Sequence, residues 1–219
     1  MATGTGDTGM GTMSMTGMSL GAFVVAWVAM MAAMMLPAIL PVVKLYSLAV
    51  VRGRAAPTAF FVLGYLAVWA AMAGPAYFGW RALQTPLDDA LPWVARVAGG
   101  TFLVAAIWQL TPLKATCLRH CRSPLGFFLR FGGDIRRRRG AARLGVAHGA
   151  FCFGCCWPLF AVLVVLGTMN LIWMVLLTAV IVLEKNAPHG EAIARATGAA
   201  LAGLGLALLV DTSILTHLT

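Results

Sequence analysis

Five cysteines fall in two tight groups, Cys117 and Cys121 in TPLKATCLRHCRSP and Cys152, Cys155 and Cys156 in HGAFCFGCCWP. Thiolates are soft ligands that select Cu(I), Zn(II) or cluster iron, whereas hard ions such as Mg²⁺ want oxygens. Oxygen ligands are scarce, because the chain holds only seven Asp and Glu. On a helix advancing about 100° per residue, with His148 at the origin, Cys152, Cys155 and Cys156 fall near about 40°, −20° and 80°. All four then share one face. Cys117 and Cys121 are likewise i,i+4 neighbours, with His120 off their line. Two ligand-bearing segments brought together give the three or four donors of a soft-metal site. Cu(I) is the favoured ion and zinc, in a tetrahedral Cys/His set, the alternative. C-x-x-C-H and four-cysteine ferredoxin spacings do not occur, which argues against c-type haem and iron–sulfur clusters. A cysteine can also be merely a small, apolar packing residue. Five confined to positions 117–156 argue for more than that.

Methionine supplies a second set of sulfurs. Met30, Met31, Met34 and Met35 lie in one apolar segment, followed by Pro37 and Pro41. Met is a flexible core filler, so packing is the plain reading, and a thioether site for Cu(I) the sharper one. Pro37 frees the carbonyl of Ala33, between the two pairs. Met10, Met13, Met15 and Met18 punctuate a Gly/Thr-rich tail over residues 1–19, read either as flexible chain or as a thioether collector. Tail, methionine cluster and cysteines together outline a three-level relay for a soft ion.

The elements that must position these sulfurs are membrane helices. The 219-residue chain is 61% hydrophobic and 11% charged, against roughly 25% charged in soluble domains. Its apolar stretches match a bilayer core of about 30 Å. The expected fold is all-α, a polytopic membrane bundle with six spans near 20–43, 57–80, 91–111, 147–167, 169–185 and 193–215. A Gly167–Asn170 turn joins the fourth and fifth. The first twenty residues lack Lys and Arg, so no secretory signal is apparent. Of the sixteen Lys and Arg, all but Arg81 and Arg96 fall in alternate loops, the basic loop 112–146 above all. By the positive-inside rule that loop faces the cytoplasm and both termini lie outside, in a bacterial inner membrane. The net charge of +9 therefore speaks for topology and lipid contact, not nucleic acid. It also places the cysteines where thiols stay reduced.

Within the loop, Thr111-Pro112 caps a short amphipathic surface helix over about 112–122, and Ser123-Pro124 ends it. Pro158 removes a backbone donor and frees the carbonyl of Gly154 beside Cys155 and Cys156. Glu184-Lys185 reads as an interfacial charge pair at the end of a span, with a supporting role at the metal site as the lesser option. Gly99-Gly100 and the glycines from Gly198 to Gly205 allow close helix contact.

At these residues the chain resembles a bacterial family described as predicted metal-binding integral membrane proteins, some of whose members are called copper chaperones. The matching pieces are Trp27–Pro37 (WVAMMAAMMLP), Gln109–Pro124 (QLTPLKATCLRHCRSP), Gly149–Trp157 (GAFCFGCCW), Gly167–Met174 (GTMNLIWM) and Glu184-Lys185. The likeness runs over nearly all of the chain from about residue 20. It implies Cys117, Cys121, Cys152, Cys155 and Cys156 as metal ligands. Pro158 departs from the apolar residue more usual after GCCW.

The expected role is binding of Cu(I), or of zinc, through the cysteines with His148 and the four span-one methionines, for transfer, sequestration or import. Membrane lipid and a soluble or membrane metal-handling protein are the expected partners. A thiol–disulfide relay and a metal-delivering assembly subunit of another membrane enzyme are the alternatives. No nucleotide-binding loop or catalytic carboxylate pair is evident.

Overall fold

A computed structural model describes residues 19–88, 92–166 and 171–211. The Met-rich tail and the Gly167–Asn170 turn lie outside these residues. Nine α-helices occupy the described chain: α1 Leu20–Ala38, α2 Leu40–Val51, α3 Thr58–Asp88, α4 Pro92–Leu110, α5 Pro112–Arg122, α6 Pro124–Phe131, α7 Arg138–Leu166, α8 Leu171–Asn186 and α9 Gly190–Val210. Five are long and apolar enough to cross a membrane, within α1, α3, α4, α7 and α9. The expected all-helical class is therefore found. The fifth expected span corresponds to α8, which has 16 described residues.

Prolines account for two departures from the expected boundaries. The first expected span is broken: α1 ends at Ala38, one residue after Pro37, and Pro41 sits at the start of α2. A proline cannot donate within the ladder, and its ring disfavours helix in the preceding residue. The basic stretch 112–146 is folded rather than open. Thr111 caps α5 through its hydroxyl, as its sequence predicts. Pro124 then opens a further helix, α6, which was not anticipated, and α7 begins at Arg138, well before its apolar run.

Glycine sets how closely the helices meet. A Cβ on Gly145 would collide with the Phe61 carbonyl, and one on Gly64 with the Ala142 carbonyl, so α3 and α7 pack backbone to backbone. Gly99 and Gly205 do the same for α4 and α9, as expected of them, and Gly198 meets Gln109. Gly100 has nothing within 4 Å of such an atom and plays no part in this contact.

Candidate metal centre

All five cysteines are free thiols. His148, Cys152, Cys155 and Cys156 are buried on α7, in keeping with the shared face read from their spacing. α5 lies against them. It was expected as a surface helix, but it turns Lys114, Leu118 and Cys121 into the bundle. The Cys117 sulfur lies over Gly154, where a Cβ would stand 3.2 Å from it. Cys121 and Cys155 lie close enough across the two helices for each to shift the other's ionisation. The two cysteine groups, separate in sequence, thus meet in space.

The neighbouring Cys155 thiol, and then burial, push the Cys121 thiol well above the ordinary thiol range. Burial, and then the neighbouring Cys155 sulfur, raises Cys117 as well. On α7 the Cys155 and Cys156 thiols both donate to the Cys152 carbonyl, at 3.1 and 2.8 Å. Sulfurs folded back on their own helix do not surround a common point. Consistently, no group of three or more His, Cys, Asp and Glu able to hold an ion occurs among the described residues. Neighbouring thiols on α5 and α7 are what the arrangement offers.

Cys152 is held differently from the others. Its sulfur accepts a hydrogen bond from Lys185 Nζ at 2.7 Å and meets the Tyr65 hydroxyl at 3.0 Å. The adjacent Glu184 takes Lys114 Nζ at 2.7 Å and Gln109 Nε2 at 3.0 Å. Glu184-Lys185 is therefore not an interfacial pair. The two residues are 2% and 5% exposed and point apart, one to α4 and α5 and the other to α7. Consecutive residues diverge by about 100° on a helix, which lets one dipeptide serve both neighbours. Lys114, Gln109 and Tyr65 were missed as members of this centre. The signal available for Lys114 was its place on the same face as Leu118 and Cys121, three, four and seven residues apart.

The carbonyl that Pro158 frees has a partner. Trp108 Nε1 donates to Gly154 O at 3.1 Å, tying α4 to α7 beside the sulfurs. His148 lies among the rings of Phe61, Tyr65 and Phe127, and neither ring nitrogen has a hydrogen-bond partner. Buried polar nitrogens are seldom left so. His120 stacks on Phe151 at 4.6 Å and places Nδ1 2.8 Å from the Thr116 carbonyl. Met31, Met34 and Met35 are buried and Met30 half-buried on α1. The foot of α1 reaches α8, where Asn186 donates to the Ala38 carbonyl.

Five helices of spanning length fit a membrane protein, and thiols gathered at one end of the bundle fit one that handles a soft metal. The chain belongs to the family described as PpoB2, copper chaperone, whose model matches residues 24–208. No curated protein and no solved structure matches it.

Proposed function

We propose that this protein is a membrane copper chaperone that takes Cu(I) at its cytoplasmic end and passes it between thiols of α5 and α7. The observation that carries this reading is the meeting of Cys121 with Cys155, and of Cys117 with Gly154, across that helix pair. Soft, closed-shell Cu(I) is satisfied by two or three sulfurs. Cys117, the one half-buried thiol of the five, receives the ion from a thiol-bearing partner. Cys121 and Cys155 hold it next, and Cys152 and Cys156 lie deepest. His148, with two unpartnered nitrogens, is a further ligand. The charge bias of the loops supports the cytoplasmic orientation in a bacterial inner membrane.

Met30, Met31, Met34 and Met35 extend the path along α1 toward the opposite membrane face and the Met-rich tail. The ion is cargo, moving between sulfurs by ligand exchange without change of oxidation state.

The test is anaerobic purification in detergent followed by elemental analysis of the wild type and of the variant with all five cysteines replaced by serine. Stoichiometric copper in the first and none in the second is the expected result. Stoichiometric zinc would correct the ion. Metal-free wild type whose thiols cycle between reduced and disulfide forms would replace this reading with a thiol relay.

A further inference from the structure

The buried end of the bundle holds two ammonium groups and one carboxylate among the residues that meet there. Lys114 is 1% exposed and Lys185 5% exposed, and Glu184 is the acidic residue between them. Glu184 is already engaged by Lys114 and Gln109. The Lys185 ammonium instead donates to Cys152 Sγ at 2.7 Å, in a pocket that also holds the Tyr65 hydroxyl. Removing a cation from water costs several kcal/mol unless it finds a countercharge. Here the groups available to supply one are sulfurs.

We propose that Lys185 is the fixed counter-ion of the copper site, positioning Cys152 and offsetting the negative charge that gathers when thiolates close on Cu(I). The inference rests on the reading of the cysteines as copper ligands. Closing two cysteines on one Cu(I) forms two S–Cu bonds, releases to water the proton of each sulfur that still carries one, and leaves a copper–dithiolate unit of single negative charge. One ammonium cancels it. A lysine at this place therefore lets a buried, anionic copper–thiolate unit form without importing a further ion, and with the Tyr65 hydroxyl it fixes where the Cys152 sulfur stands. The neighbouring Lys114–Glu184 pair is already neutral and contributes position rather than charge.

The experiment measures Cu(I) affinity of the full chain in detergent, under anaerobic conditions, by competition with a chromogenic Cu(I) chelator. Lys185→Met is expected to weaken binding by about 10- to 100-fold, the range typical of groups that orient and tune metal ligands. Lys185→Arg, which keeps the charge, stays within about threefold of wild type, a rescue that a packing role would not give. The effect of Lys185→Met should largely vanish in a Cys152→Ser background, because the lysine acts through that sulfur. Should Lys185→Met fail to fold, Lys185→Gln compared with Lys185→Arg carries the same contrast. Wild-type affinity in the neutral variants, or equal affinities of the Arg and Gln variants, overturns the counter-ion role and leaves the copper site standing. A wild type that binds no Cu(I) removes both.

Discussion

The carbonyl of Gly154 shows how far single residues could be read in advance. That Pro158 frees this oxygen follows from covalent structure alone. That Trp108, on another helix, supplies the donor does not follow, because an indole's partner depends on packing between distant segments. Trp108→Phe keeps the ring but strands the carbonyl, and should destabilise the protein by about 1–2 kcal/mol in reversible unfolding. Pro158→Ala restores a local donor, so the same change in that background should cost markedly less; equal costs would contradict the assignment. That His148, Cys152, Cys155 and Cys156 would be placed together was legible for a similar reason, since side chains three, four and seven apart share a helical face wherever the helix packs. Glu184 and Lys185 were misjudged because charge at a span end normally means water. Nothing in the local sequence announces that α5 brings Lys114 to meet them.

Among the helices, α5 decides whether there is a site. Its start was legible from Thr111-Pro112 and its length from Ser123-Pro124, both of which work through backbone donors close in sequence. Its depth was not, because burying Lys114 becomes acceptable only when Glu184 and Gln109 are in place. Gly154 is where the Cys117 sulfur of α5 meets α7. Gly154→Val should push Cys117 outward, weaken Cu(I) binding by about tenfold or more on the scale of disturbed metal surroundings, and speed maleimide labelling of Cys117. Gly100→Ala, in open space on α4, should change neither. If both variants label at the wild-type rate, α5 does not rest on α7 as described. The break at Ile39 was half legible: two prolines foretell an interruption, but not which residue between them parts the helices.

For the molecule as a whole, composition and hydrophobic length sufficed for a helical membrane bundle, since both are sums over many residues and tolerate local error. The proposed path across it is a statement about the entire chain and needs a vectorial assay. Replacing Met30, Met31, Met34 and Met35 together by Leu should abolish copper passage into proteoliposomes while leaving copper bound at the cysteines. Unimpaired passage would remove the methionines from the path. Cys117 should react with an impermeant maleimide added at the cytoplasmic face and resist one added outside; the opposite result would invert the bundle. One constraint follows from Glu184 and Lys185 facing different neighbours. Exchanging the two letters would preserve composition, net charge and helix propensity, yet set a carboxylate against the Cys152 sulfur and an ammonium against Lys114. The order of that dipeptide, not merely its content, is what ties the placement of α5 to the readiness of the thiols on α7.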